Sequence, residues 1–476
     1  MNKVFLILFS ILLPSLIHCQ SKSYNEIQIG FINKKELKNA GISLYAENIK
    51  SGKTIMDHNS DISLIPASVF KIFPTSIALE LFEPDHKFKT ELAYSGVISK
   101  EGVLNGNIYI IGYGDPCLGS ENFSSHYNKN GQLLDLWANE VKKMGIKKIN
   151  GNIIADISYF GEINIHDKWI WEDIANYYGH QGSALNYYDN LYHVHFSTGN
   201  YDGSKTSITK IVPENTGISF ENYVTSSSST GDDAYIYPGN NNKERIIRGT
   251  LPWKRDNYVI KGSMPEPELF LVRNFTEKLK NNGIEVSGTQ ILISETDKNI
   301  KKVIHTTYSP ELQEIAKITN IKSNNLYAEV LGHHISKITG KKYKDAVTDF
   351  LRSKNISTEG LNVDDACGLS HFNTLTSKQM SEFLKYLEKS SPQYNYFFKT
   401  LPVSGINGTL LTSYKDTRWS VHAKSGSMTR VRGYAGYIIN KSGEKIVFCF
   451  IVNNYNCSST QMRKIFEEMF KNIAEK

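Results

Sequence analysis

Pro66-Ala67-Ser68-Val69-Phe70-Lys71 sets a serine three residues ahead of a lysine. The mostly apolar run Val69 to Phe82 that follows predicts a buried helix. Positions i and i+3 share a helix face, which puts the Lys71 amine beside the Ser68 hydroxyl. A serine hydroxyl is a weak nucleophile until a neighbouring base accepts its proton. A lysine serves as that base when burial or a second cation lowers its pKa. Pro74 breaks the pattern and predicts a kink one turn after Lys71. The plain alternative is a helix cap with an exposed lysine. Ser207-Ile-Thr-Lys210 and Ser442-Gly-Glu-Lys445 have the same spacing. The first lies in a polar tract and the second reads as a turn, so only Ser68 heads a helix apolar enough to bury a site.

The 476 residues predict two or three domains, and 11% aromatic content supplies a sizeable core. A net charge of +6, from 54 basic and 48 acidic residues, has no concentrated basic stripe and argues against nucleic acid. Met1-Asn2-Lys3 precedes the apolar run Val4 to Ile17. That run is short for a membrane span and predicts a signal peptide over 1–19, cleaved after Cys19. Export follows, most simply to a bacterial periplasm. A retained anchor helix and a lipoprotein site at Cys19 are the alternatives; the bulk of His18 argues against the latter. Cys19, Cys117, Cys367, Cys449 and Cys457 lack zinc-type spacing. Cys449 and Cys457 are near enough in sequence to pair, but Cys449 reads as strand interior and so as a buried free thiol.

Ile42 to Ala46 and Thr54 to Met56 form a hairpin around a Ser-Gly turn. Strands are expected at Trp419–Lys424, Tyr434–Ile439 and Ile446–Val452. A last helix buries Met462, Ile465, Phe466, Met469, Phe470 and Ile473. The N-terminal hairpin and these C-terminal strands complete one antiparallel sheet, with everything between about Lys100 and Ser294 inserted into it. Gly112-Tyr113-Gly114-Asp115-Pro116 lacks the lysine and helix of a phosphate loop and reads as a turn. Helices are expected at Leu133–Met144, Phe270–Leu279, from Ser309 with Pro310 in its first turn, and from Leu326 with Val330, Leu331, Ile335 and Ile338 on its apolar face. The polar tract Ser197–Asn257 predicts a small, mainly β insertion.

Ser323-Asn324-Asn325 lies in the break between two helices, where a hydroxyl and an amide can relay a proton and hold a carbonyl. Ser-x-Asn is common, and an N-cap is the compatible plain reading. Lys424-Ser425-Gly426-Ser427 ends a strand. A cation and a hydroxyl there hold a carboxylate, and Gly426 lets a substrate backbone approach the strand edge. A hairpin turn is the alternative. In this order the three motifs form the signature of penicillin-binding proteins and serine β-lactamases.

The chain further resembles the class C low-molecular-mass penicillin-binding proteins, the D-alanyl-D-alanine carboxypeptidase/endopeptidase family. Pro66-Ala67-Ser68, Gly112–Pro116, Trp169-Ile170-Trp171-Glu172-Asp173, Ser323–Glu329, Cys367-Gly368-Leu369-Ser370, Leu401–Leu410 and the Lys424 strand carry the likeness. It implies an α+β, β-lactamase/DD-peptidase-like domain with two small inserted domains. The peptidase domain then covers 20–99 and 295–476, one inserted domain 100–196 and 258–294, and the other 197–257. The long insertion argues against a β-lactamase. Three departures stand out: Ser425 replaces a threonine; Asp364–Gly368 is one residue off the usual Asp-Gly-Ser-Gly; His371 stands where many relatives carry an arginine that helps hold the substrate's acidic side chain.

The resemblance implies that Ser68 attacks the penultimate D-alanine carbonyl of peptidoglycan stem peptides and that Lys71 takes its proton. Ser323 and Lys424 pass that proton on, Asn325 holds a substrate amide, and the N–H groups of Ser68 and Ser427 form the oxyanion hole. Lys424 and Ser425 hold the terminal carboxylate. Asp173, with Trp169 and Trp171 packed on the methylenes, is expected to meet the amine of a diamino acid. β-Lactams are expected to acylate Ser68. No cofactor or metal is expected: there is no His-Glu-x-x-His, and His193-Val194-His195 reads as strand alternation. The rivals are an esterase or β-lactamase on the same fold and a non-catalytic cell-wall binding protein.

Overall fold

The computed structural model describes residues 22–127, 132–180, 182–229, 231–241 and 243–476. The predicted signal peptide, with Cys19, lies outside them. A five-stranded, all-antiparallel sheet runs Thr54–His58, Gly41–Asn48, Lys445–Asn453, Val431–Ile439, Ser420–Met428. The chain's two ends therefore complete one sheet, as the N-terminal hairpin and C-terminal strand patterns predict. Side chains alternate along each strand. Ile446, Phe448, Phe450 and Val452 face helices Tyr24–Ile32 and Ser459–Ala474, with Phe31, Met462, Phe466 and Phe470. Val447, Cys449 and Ile451 face the other way, into the core with Phe73 and Phe383. Both faces are covered, which explains why Ile446–Val452 is a continuous apolar run. Cys449 and Cys457 belong to the cores on opposite faces and are both free thiols.

The Ser68 segment is a 3-10 turn, Ala67–Lys71, followed by an α-helix, Ile72–Phe82. Pro74 therefore lies in the first α-helical turn, where its missing N–H has no helical partner to lose, and the expected kink is replaced by the 3-10 to α junction. Pro310 stands one residue outside its helix, which is capped at Glu311 and runs Leu312–Ile321. Ile338 is exposed, unlike Leu326, Val330, Leu331 and Ile335, because the last turn of helix Asn325–Thr339 passes beyond the core. The strand Lys302–Tyr308 and the helices Tyr343–Ser353 and Ser377–Ser390 carried no sequence reading here.

The insertion is built around a second, mixed sheet: Gln290–Ile293, Ile153–Asp156, Ile108–Gly112, Lys89–Tyr94, Lys302–Tyr308. Its two bracketing strands fall outside the expected limits of 100 and 294. Lys89–Tyr94 and Lys302–Tyr308 pair with each other, so the chain enters and leaves through neighbouring strands. The β lobe is likewise wider than 197–257. Leu191–Ser197 pairs with both Ser207–Val212 and Tyr258–Ser263, and Tyr192, Val194, Phe196 and Ile260 share a core with Ile236, Ile247 and Leu251.

Candidate active site

Ser68 is held on a turn gripped from two sides. A Cβ on Gly426 would lie 2.2 Å from the Pro66 carbonyl oxygen and 3.1 Å from the Ser68 nitrogen. A Cβ on Gly368 would lie 2.2 Å from the Ala67 carbonyl oxygen. Ala67 itself has φ 48°, an uncommon conformation for alanine. Gly426 thus serves the fit between the sheet and the nucleophile's turn. This corrects the expectation that its missing side chain makes room for substrate. The strand also continues to Met428, so Lys424-Ser425-Gly426-Ser427 lies inside it, and the hairpin-turn alternative is excluded.

The Lys71 Nζ lies 2.8 Å from Ser68 Oγ and donates to the Cys367 carbonyl at 2.6 Å. Lys71 has no exposed surface. Burial pushes its pKa below the ordinary lysine range, against the opposing pull of Cys367, Asp365 and Glu329. Lys424, also without exposed surface, has its pKa pushed well down by burial and then by the neighbouring Lys71. Its Nζ donates to Ser323 Oγ at 2.9 Å and to the Ser425 carbonyl at 2.7 Å. Asn324, rather than Ser323, caps helix Asn325–Thr339 by accepting from the Tyr327 N–H. Ser323 and Asn325 are thereby left to line the cleft. Asn325 Nδ2 donates to the Tyr178 carbonyl at 2.8 Å, tying the insertion to this motif.

The cleft is a cavity of about 790 Å³ that brings together Ser68, Ser323, Asn325, Ser425, Ser427 and, from the insertion, Asp173. Asp173 is 8% exposed, and burial raises its carboxyl to about 6, against the lowering effects of a Tyr178 hydrogen bond and His371. Ser425 Oγ donates to Thr409 Oγ1 at 2.7 Å. Thr409 lies in the Leu401–Leu410 segment but carried no role in the sequence reading.

Trp169 does not line this cavity. It is 5% exposed, packs with Ala328 and Cys367, and its Nε1–H donates to Asp365 Oδ2 at 2.8 Å. Trp171 packs against Tyr237 instead, with the two rings tilted by 34°. The expectation that these tryptophans pack on substrate methylenes fails because Ile170, Glu172 and Asp173 line the cleft and neither tryptophan does. Asp365 also accepts from the Gly368 and Ser370 N–H groups and from Asn373 Nδ2, each at 2.6 Å. Glu329 Oε1 accepts from the Ala366 and Cys367 N–H groups at 2.9 and 2.6 Å. Sequence reasoning missed this pair, because most of their partners are backbone N–H groups, which no residue pattern marks. Glu329, Asp365 and Cys367 place ligand-type atoms within 4.8 Å of one another, yet the carboxylates are engaged in holding the loop whose Cys367 carbonyl meets Lys71.

A Ser-x-x-Lys turn, a Ser-x-Asn loop and a Lys-Ser-Gly strand converging on one cleft define a serine peptidase of the penicillin-binding class. The chain belongs to the D-Ala-D-Ala carboxypeptidase 3 (S13) family, whose model matches residues 29–475. It is 24% identical over 474 residues to the D-alanyl-D-alanine carboxypeptidase DacB of Haemophilus influenzae, covering 94% of this chain and 95% of that protein. It is 28% identical over 427 residues to a D-alanyl-D-alanine carboxypeptidase of Actinomadura sp. (strain R39), covering 85% and 76%. The crystal structure of penicillin binding protein 4 (dacB) from Haemophilus influenzae superposes with a TM-score of 0.77 over 92% of this chain and 96% of that one, at 24% identity, which establishes a shared fold.

Proposed function

We propose that this protein is a serine-type D-Ala-D-Ala carboxypeptidase and/or endopeptidase that cleaves peptidoglycan stem peptides through an acyl-enzyme on Ser68. The observation that carries the reading is the 2.8 Å contact between Ser68 Oγ and a fully buried Lys71 amine whose pKa is pushed down. A neutral amine at that position keeps two N–H groups and one lone pair. One N–H serves the Cys367 carbonyl, and the lone pair accepts the Ser68 proton as Oγ attacks the D-alanine carbonyl. The Ser68 and Ser427 N–H groups meet the oxyanion. Such preorganised donors typically supply about 10²–10³ in rate each. Lys424 and Ser323 return the proton to the leaving amine. Two adjacent ammonium groups in one buried site repel, which favours holding a single proton between Lys71 and Lys424. Ser425, set by Thr409, and Lys424 receive the terminal carboxylate. Asn325 holds a substrate amide, and water then hydrolyses the ester.

A structure of the Haemophilus influenzae relative is described as complexed with a novel β-lactam. In this reading a β-lactam enters the same cleft and remains on Ser68. The N-terminal basic start and apolar run support work outside the cytoplasm, in a periplasm, after removal of residues 1–19. Incubation with penicillin, then mass spectrometry and peptide mapping, tests the reading. The adduct is expected on the Ser68 peptide; an adduct elsewhere, or none, refutes it. Rapid release of hydrolysed penicillin supports the β-lactamase alternative instead.

A further inference from the structure

Ser323 has a strained backbone. Its φ is 56°, in the left-handed region that residues with a side chain seldom adopt. Such conformations persist where the surrounding structure over-determines them. The residues on either side of Ser323 are tied to the insertion. Lys322 Nζ donates to Asn122 Oδ1 at 2.6 Å. Tyr327, in the first turn of the helix that Asn324 caps, donates its hydroxyl proton to Asp189 Oδ1 at 2.7 Å. Ser120 Oγ donates to Asp189 Oδ2 at 2.8 Å, and Asn122 Nδ2 lies 3.3 Å from both that oxygen and the Tyr327 hydroxyl. Phe123 stacks on the Tyr327 ring with centroids 6.4 Å apart, and Tyr327 has no exposed surface. Asp189 stands in a second outlier: Tyr188, Asp189 and Asn190 have φ of 56°, 54° and 52°. Residues with a side chain visit this region singly, not in runs. The run is fixed by the Tyr188 N–H on the Leu118 carbonyl, the Met264 N–H on the Asn190 carbonyl and the Tyr187 N–H on Asn190 Oδ1. Two strained turns, one in the insertion and one in the peptidase domain, thus meet through the Tyr327–Asp189 bond. Asp189, Asn122, Lys322 and Ser323 line one cavity of about 860 Å³.

We propose that Tyr327 and Asp189 are positioning residues: through their hydrogen bond the insertion holds Ser323 in its left-handed conformation, with its hydroxyl set between Lys424 and the departing nitrogen. In that step the carbon–nitrogen bond breaks, the nitrogen takes the Ser323 hydroxyl proton, and a proton from Lys424 replaces it on Ser323 Oγ. A hydroxyl that relays a proton must lie within hydrogen-bond reach of both neighbours at once. Lys424 Nζ is already at 2.9 Å. Helix Asn325–Thr339 begins two residues after Ser323, so fixing its first turn at Tyr327 fixes where that hydroxyl points. The insertion therefore supports the chemistry from behind the Ser-x-Asn loop, in addition to forming a wall of the cleft. This inference rests on the reading of Ser68 as the nucleophile and of Ser323 as the proton carrier.

Two substrates with the same acyl peptide test it, one ending in D-Ala-D-Ala and the other in a thioester of D-alanine with thioglycolate. A thiolate departs with the electron pair of the carbon–sulfur bond and needs no proton, so delivery by Ser323 matters for the amide alone. Tyr327→Phe removes one oxygen and keeps the ring packing. It is expected to lower kcat/KM for the amide about tenfold more than for the thioester, a part of the roughly 10²–10⁴-fold that a positioned proton donor supplies. Asp189→Ala is expected to do the same, and the double variant no more than either alone, because two partners of one bond act as a unit. Asp189→Asn keeps an acceptor oxygen for the Tyr327 hydroxyl and should lose less. Ser323→Ala sets the full size of the difference. Equal losses on the two substrates in the Tyr327 and Asp189 variants, or no loss on either, overturn the positioning role while leaving the chemistry standing. Equal losses in Ser323→Ala overturn it together with the proton path on which it rests. Absence of penicillin labelling of Ser68 in the wild type overturns the nucleophile itself. Should Tyr327→Phe fail to fold, Asp189→Asn reads the same ratio.

Discussion

The two walls of the Ser68 cleft are made differently. On the peptidase side, Lys71 and Lys424 have no exposed surface, and their amines are held by the Cys367 and Ser425 carbonyls and by two hydroxyls. The backbone around them is packed so closely that glycine is required at 426 and 368. On the insertion side, Tyr177 is 56% exposed, and Asp173 faces the cleft as a carboxyl poised near pH 6. Chemistry needs charges stripped of water and atoms held in place, which only a close-packed interior provides. Choice among substrates needs groups that reach a side chain, and a wall added to the sheet provides those without disturbing the interior.

The sharpest break between the walls is expected from Lys71→Ala. Loss of the base should slow acylation by penicillin about 10²–10⁴-fold. The orphaned Cys367 carbonyl should cost about 1–3 kcal/mol of stability. Stopped-flow acylation and thermal melting measure the two separately. A folded variant acylating within about tenfold of wild type would mean that another group is the base.

Gly426→Ala addresses the packing of the same wall without touching a polar group. The added methyl meets the Pro66 carbonyl, so the Ser68 turn or the strand must move. Overpacking of this kind typically costs about 1–3 kcal/mol. Acylation should fall about tenfold or more, since displacements near 1 Å cost up to about 10²-fold. Unchanged acylation would show that the turn tolerates the shift.

Asp173→Asn acts on the other wall. Turnover of an amine-bearing stem peptide should fall about tenfold further than penicillin acylation does, consistent with loss of a charge-assisted contact of about 1.5–3 kcal/mol. The same difference should appear with pH in the unaltered protein. The Asp173 carboxyl is raised to about 6, so it is charged above that value and neutral below it. Preference for the amine-bearing peptide should therefore decline as pH drops through about 6, while penicillin acylation does not share that step. Coincident pH profiles would remove Asp173 from substrate selection.

The smallest effect on selectivity is expected from Trp169→Phe. Its indole N–H supports Asp365 from inside the core, so its loss should cost about 1–3 kcal/mol in denaturant unfolding. Peptide and penicillin rates should fall together. A selective loss on the peptide would restore the substrate-packing role that the structure denies it.

Much of the architecture was legible because local pattern and burial agree. The stripe Met462, Ile465, Phe466, Met469, Phe470, Ile473 is one helix face and is buried as such. The apolar strands at the two ends of the chain pair in one sheet. Ser68 and Lys71 meet because three residues of either helical form bring side chains to one side. Pro74 misled because a proline alone does not tell a helix interior from a first turn; the 3-10 segment before it decided that. Lys302–Tyr308 escaped notice because Lys-Val-Ile-His-Thr-Thr-Tyr is only partly buried and shows no clean alternation.

The residues themselves determined the identity and order of three motifs, the apolar helix that buries the first, and the insertion between the first two. These are local properties, carried by spacing and side-chain type. The tertiary fold alone decided that Gly426 makes room for a turn rather than a substrate, that Trp169 faces Asp365 while Asp173 faces the cleft, and that Glu329 and Asp365 hold the loop behind Lys71. It also tied Tyr327 to Asp189 of the insertion. These outcomes depend on groups brought together from separate parts of the chain, many of them backbone atoms, and a linear pattern carries no information about which distant group a side chain will meet.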